Sequence, residues 1–146
     1  MSPTSMTTGP RGHRLPRSCS KSTWIEGRNL YIALEAISRP EANFFRLSAE
    51  GLALAKELNR PNIRLLVDFY HLSIVGAAAD YLQHTHLANP IGRAYPKARD
   101  QADYRSFIRA LQNVGYRGGL SVEGFSEDFE TDAREALQLL RAMVRA

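Results

Sequence analysis

The sequence lacks several features that mark specialised classes of protein. Cys19 is the only cysteine among 146 residues, which excludes an internal disulfide and a zinc site built on cysteines. No window approaches the ~18 consecutive apolar residues of a membrane-spanning helix. These absences predict a cytoplasmic protein that has no membrane partner.

An excess of positive charge is also absent from most of the chain, although the formal net charge is +4. Residues 1–28 hold five basic side chains against the single Glu26, which leaves fourteen of each sign in residues 29–146. Because nucleic-acid-binding domains carry a basic surface, we predict no nucleic-acid partner. Residues 1–28 are rich in Ser, Thr, Pro, Gly and Arg without apolar periodicity, which predicts a disordered basic tail before one domain at 29–146.

Apolar segments and helical patterns alternate along that domain. Four short segments, at 29–35, 62–68, 81–87 and 119–125, have the composition of buried strands. Helical periodicity follows at 48–59, with Ser48 as the expected N-cap, and again at 103–115 and 128–144. Strands that alternate with helices predict an α/β fold with a parallel sheet and right-handed crossovers. The link from Asp68 to His86 is short and leaves room for about two helical turns.

A charged or metal-capable side chain stands at or near the carboxyl end of each predicted strand. These residues are Glu35, Asp68, His86 and Glu123. The carboxyl ends of parallel strands lie on one side of a sheet, so the four side chains should converge. Crowded carboxylates repel one another unless a divalent cation lies between them, and this donor set suits Mn²⁺ or Mg²⁺, with Co²⁺ and Zn²⁺ also acceptable. For any one carboxylate alone, the alternative is a cap on the following helix.

Further polar residues follow at short offsets, in the predicted loops after the strands. Glu41 comes six residues after Glu35, His71 three after Asp68, and Arg93 seven after His86. Residues in such loops would hold a substrate against the strand ends. His84 lies on the same face of its strand as His86, and we interpret it as a packed or supporting histidine rather than a ligand.

Four segments of the chain, IALEAISRPEANF, RLLVDFYH, HTHLANPIGR and LSVEGF, together resemble the xylose-isomerase-like sugar phosphate isomerase/epimerase superfamily. That superfamily includes ketose 3-epimerases and hydroxypyruvate isomerases. The resemblance covers about residues 29–146 and implies the C-terminal half of a (β/α)₈ TIM barrel, with about four βα units. It implies a metal-dependent isomerase or epimerase that acts on a small keto sugar through a cis-enediolate.

The resemblance also implies a role for each of the seven residues. The metal ligands would be Glu35, Asp68, His86 and Glu123. The proton-transferring pair would be Glu35 and Glu123. The residues that contact the hydroxyl and carbonyl oxygens of the substrate would be Glu41, His71 and Arg93.

A half barrel exposes two sheet edges and an apolar inner face, which implies a homo-oligomer or pairing with another half barrel. Two other functions remain open at this point. One is a truncated, non-catalytic half-barrel fragment of such an enzyme. The other is a relative of the apurinic-site endonucleases, which the neutral body and the few histidines disfavour, because those enzymes need a multi-metal cluster and a basic groove.

Overall fold

A computed structural model describes residues 28–37 and 47–145 of the chain. The predicted basic tail lies outside the described residues except for Arg28, and Glu41 also lies outside them. None of the helices in the two described ranges is long and apolar enough to cross a membrane. The elements in chain order are β1 (Ile32–Glu35), α1 (Ser48–Leu58), β2 (Ile63–Asp68), two 3₁₀ segments (Phe69–Ile74 and Ala79–Tyr81), β3 (Leu82–Leu87), α2 (Tyr104–Asn113), β4 (Gly119–Val122) and α3 (Phe129–Arg145).

The four strands form one sheet in the order β1-β2-β3-β4. Strands β3 and β4 are parallel, with His84 opposite Gly119 and His86 opposite Ser121. The predicted α/β class is confirmed. The short link between β2 and β3 consists of the two 3₁₀ segments. A 3₁₀ helix rises about 2.0 Å per residue, whereas an α-helix rises 1.5 Å. Fewer residues are therefore needed to connect the end of β2 to the start of β3.

The chain divides within β2, between Leu65 and Leu66, into two compact units. In the first unit, the backbone N–H of Ile32 at the start of β1 donates to the Asn62 carbonyl over 2.9 Å. Helix α1 begins one residue earlier than predicted, because Leu47 rather than Ser48 is the N-cap. The Leu47 N–H donates to the Glu50 carboxylate over 3.4 Å, which satisfies a donor at the helix start.

The core of the second unit forms around α2. Its buried side chains are the predicted ones, Tyr104, Phe107, Ile108 and Leu111. The Phe107 ring meets the Phe69 ring edge to face, with centroids 5.6 Å apart. Asp103 caps the helix, since its carboxylate accepts the Ser106 N–H over 3.1 Å.

Helix α3 buries a narrower stripe than its sequence pattern predicts. Ala136 and Leu140 are buried, one helical turn apart. Phe129, Leu137 and Val144, which the pattern placed on the same apolar face, are exposed. The prediction was wrong for these three because burial depends on which neighbours cover the helix, and these side chains are left in solvent.

Candidate metal and substrate site

Asp68 is a buried carboxylate at the end of an apolar strand. Leu65 and Val67 are fully buried, and the strand carries Asp68 with them to 7% exposure. The Tyr70 N–H donates to Asp68 Oδ1 over 3.3 Å. Burial raises the pKa of Asp68 above its usual value, and the Tyr70 hydrogen bond and the nearby Arg93 offset this only in part.

His86 and Glu123 approach each other across the β3–β4 pair. The parallel register aligns Leu87 with Val122, and the Glu123 N–H continues the ladder by donating to the Leu87 carbonyl over 3.3 Å. This alignment brings His86 Nδ1 within 2.9 Å of Glu123 Oε2. The imidazole side chain is 17% exposed and the carboxylate side chain 48% exposed, so solvent reaches the pair from the Glu123 side.

Asp68, His86 and Glu123 together form a compact donor cluster in the second unit. Each offers one ligand atom, and these atoms all lie within 4.8 Å of one another. Two carboxylates and one imidazole suit Mn²⁺, Mg²⁺, Co²⁺ or Zn²⁺. Glu123 contributes to the raised pKa of Asp68 after the larger effect of burial, and a cation would offset both effects. The residues present therefore fit a divalent metal.

Arg93 reaches the same cluster from the loop after β3. It has a left-handed backbone with a φ of 50°, next to Gly92 with a φ of 71°. Its guanidinium nitrogen Nη2 lies 2.5 Å from Glu123 Oε2. The backbone of this loop is fixed to the chain after β4, because the Phe125 N–H donates to the Arg93 carbonyl over 2.7 Å. The side chain of Arg93 thus lies beside the cluster, and a hydrogen bond fixes its backbone.

The other three predicted site residues are Glu35, His71 and Glu41. Glu35 ends β1 in the first unit and is partly buried. His71 lies within the first 3₁₀ segment, at a position with non-helical backbone angles, and is partly buried. Glu41 lies outside the described residues. The predicted residues that the second unit brings together are Asp68, His86, Arg93 and Glu123.

Two features of the site were missed from the sequence. Tyr70 is 51% exposed, its backbone N–H donates to Asp68, and its pKa is raised first by partial burial and then by the Asp68 carboxylate. Gly124 gives the Arg93 loop room, since a Cβ there would lie 2.8 Å from the Arg93 carbonyl oxygen. The only sequence signals were their positions, since Tyr70 directly precedes His71 and Gly124 directly follows Glu123.

Comparison with known proteins shows which enzymes this chain is similar to. The chain is 36% identical over 109 residues to the L-ribulose 3-epimerase of Methylomonas sp. (strain DH-1), a match covering 69% of this chain and 37% of the relative. It is 31% identical over 103 residues to the ketose 3-epimerase of Arthrobacter globiformis, covering 65% of this chain and 35% of that protein. The chain therefore spans little more than a third of these relatives' length.

A solved structure supports the predicted fold. The D-allulose 3-epimerase from Methylomonas sp. superposes with a TM-score of 0.74 at 29% identity, covering 84% of this chain and 51% of that chain. This coverage agrees with the predicted partial barrel. Residues 21–143 match the family described as the xylose isomerase-like TIM barrel. The chain thus belongs to the xylose isomerase-like TIM barrel family.

Proposed function

We propose that this chain is a metal-dependent ketose epimerase, acting on a small keto sugar such as L-ribulose or D-allulose. The observation that carries the proposal is the convergence of Asp68, His86 and Glu123, whose ligand atoms all lie within 4.8 Å of one another. Its similarity to two ketose-converting epimerases supports the choice of substrate class.

The proposed ligand set is Glu35, Asp68, His86 and Glu123. Glu35 is included because it ends β1 as Asp68 ends β2, and these strands are neighbours in the sheet. Mn²⁺ or Mg²⁺ is the proposed ion, with Co²⁺ and Zn²⁺ as alternatives. When bound, the ion would polarise the sugar's carbonyl group and so acidify the neighbouring C–H.

Glu123 and Glu35 are the proposed proton-transferring pair. One carboxylate removes the proton from the carbon next to the carbonyl, and the other returns a proton to the opposite face, which inverts that centre. Glu123 suits this role because solvent reaches its side chain while His86 and Arg93 fix the position of Oε2. A fixed carboxylate can lie within reach of the C–H without losing orientation in each turnover.

Arg93 is proposed to bind the substrate's oxygen atoms, together with His71 and Glu41. A guanidinium group has five N–H donors, so Arg93 can hold Glu123 and still donate to a sugar oxygen. Its positive charge would stabilise the negative charge that develops on that oxygen as the proton leaves. His71 and Glu41 would contact the hydroxyl groups.

A Glu123→Gln variant tests the proposal. The amide keeps the shape of the side chain but cannot accept the proton, so kcat with Mn²⁺ and small ketoses should fall by at least about 100-fold. Glu127→Gln, an exposed change four residues further on, is the matched control and should keep wild-type turnover. Equal epimer formation by wild type and Glu123→Gln would contradict the assignment.

The second candidate is a non-catalytic half barrel that retains the donor cluster. The observation that favours it is the length of the match, 37% of one curated epimerase and 51% of the solved one. The part of the relatives that is not matched would supply walls that exclude water from the substrate. Metal binding without turnover on any ketose, by a chain that melts cooperatively, would favour this candidate over the first.

A further inference from the structure

His84 lies beside the donor cluster, and neither the ligand set nor the proton-transfer pair uses it. It shares one face of β3 with His86, while Thr85 between them points to the other side and is fully buried. The register of the parallel pair places His84 opposite Gly119 and His86 opposite Ser121. His84 and His86 therefore face the same side of the sheet as two polar residues of β4 and its continuation, Ser121 and Glu123.

Three contacts connect these residues in a row. His84 Nε2 and Ser121 Oγ form a hydrogen bond of 2.7 Å. The His84 and His86 rings meet edge to face, with centroids 5.3 Å apart and an interplanar angle of 85°. His86 Nδ1 then lies 2.9 Å from Glu123 Oε2. The row begins at Ser121 and ends at the carboxylate of the cluster.

Gly119 provides the space that the His84 ring occupies. A Cβ at this position would lie 2.9 Å from His84 Cε1 and 3.1 Å from Nδ1. Any other residue would press on a ring that Ser121 already holds. Gly119 therefore does more than begin β4, since it lets His84 reach Ser121.

We propose that His84, anchored by Ser121, is a positioning residue that fixes the ring plane of His86 toward Glu123. This inference rests on the proposed function, in which His86 is a metal ligand. The χ2 torsion of a histidine is broad, so the ring needs contacts on its faces and edges to hold one plane. His84 supplies such a contact, and its own Nε2 is engaged by Ser121 rather than offered to the cluster. Partners of this kind commonly change metal affinity when they are removed.

Calorimetric titration of the full chain with Mn²⁺ tests the proposal. Ser121→Ala removes the anchor and keeps both rings, so the Mn²⁺ affinity should fall about 10-fold, within the range known for residues that support a ligand. Ser121→Thr keeps the hydroxyl and should restore binding. Ser106→Ala is the matched control, because it also removes a serine hydrogen bond, the one to Asp103, outside the cluster.

His84→Phe provides a second variant that keeps an aromatic ring but loses the Ser121 hydrogen bond, and its affinity should fall similarly. Thermal melting without metal identifies which variants fold like the wild type, and only those are compared. A loss of affinity without a change in melting supports positioning, because a merely structural role would change the melting. Wild-type affinity in folded Ser121→Ala or His84→Phe would overturn the inference and leave the metal site standing. A wild-type chain that binds no Mn²⁺ would overturn both.

Discussion

At the scale of single residues, the site holds a carboxylate, Asp68, in a buried position at the end of an apolar strand. Asp68 follows Leu65 and Val67 on a strand whose packing carries the carboxylate to 7% exposure. Removing an ionised carboxylate from water is unfavourable unless a partner replaces the lost hydration. The Tyr70 N–H and the neighbouring Arg93 replace part of it. In the proposed function, the bound cation would replace the rest.

Asp68→Asn should therefore stabilise the metal-free chain while it weakens metal binding. The amide oxygen can still accept the Tyr70 N–H, but the buried charge is gone. At neutral pH we expect a gain on the order of 1 kcal/mol, or about 3 °C in Tm. Thermal melts in a chelating buffer measure this difference. An Asn variant that melts below the wild type at neutral pH would contradict this account of Asp68.

The pH dependence of this effect has a defined sign. Because burial raises the folded-state pKa of Asp68 above the ordinary 3.8, the folded chain binds this proton more tightly than the unfolded chain. The contribution to stability is full below pH 3.8 and is lost as the pH rises through the folded-state pKa. The wild type and Asp68→Asn should thus melt alike in acid and diverge as the pH rises.

At the scale of elements, the segment after β4 fixes the loop that carries Arg93. The chain after β4 pairs with the loop through Ala94 and Phe125, and Gly124 lies against the Arg93 and Ala94 backbone. A backbone cannot move aside as a flexible side chain can. The position of Arg93 beside Glu123 therefore depends on the absence of a side chain at 124.

Gly124→Ala should displace this loop and weaken substrate binding. The new Cβ would lie 2.8 Å from the Arg93 carbonyl oxygen, which is closer than van der Waals contact allows. We expect KM for the ketose to rise about 10-fold, equivalent to about 1.4 kcal/mol of binding. Gly76→Ala is the matched control, because a Cβ there would meet no atom within 4 Å. An unchanged KM for Gly124→Ala would show that the loop position does not depend on this glycine.

Elements with a strong local pattern could be predicted from the sequence. The strand ends predicted that Asp68, His86 and Glu123 would converge, and the apolar spacing predicted the buried face of α2. The hydrogen bond between His84 and Ser121 could not be predicted, because it depends on the register between β3 and β4. The narrow buried stripe of α3 could not be predicted either, since burial depends on which neighbours cover a helix rather than on its own periodicity.

At the scale of the whole molecule, the chain has the elements of a partial barrel. It covers about half of a solved epimerase, and among the strands of residues 28–37 and 47–145, β1 and β4 each have one neighbour in the order of the sheet. Ile91, Phe125 and Phe129 are more than two-thirds exposed, which adds apolar surface in the second unit. Unpaired edges and exposed apolar side chains favour association with another chain.

We therefore predict that the isolated chain is a dimer. Light scattering after size exclusion should give about 33 kDa, twice the 16.4 kDa of one chain. Circular dichroism should show a melting transition that moves to higher temperature as the protein concentration rises, because association stabilises the folded state. A monomer that melts cooperatively at a concentration-independent temperature would contradict the predicted pairing.

The central claim is that the cluster of Asp68, His86 and Glu123 supports proton removal from a ketose. The most direct test is solvent exchange, with the full chain, Mn²⁺ and a small ketose in D₂O, followed by proton NMR of the sugar. We predict that deuterium enters at C3 as the epimer forms, and that Glu123→Gln abolishes the exchange while Glu127→Gln does not. No deuterium at C3 with Mn²⁺-loaded wild type, or equal exchange in Glu123→Gln, would contradict the claim.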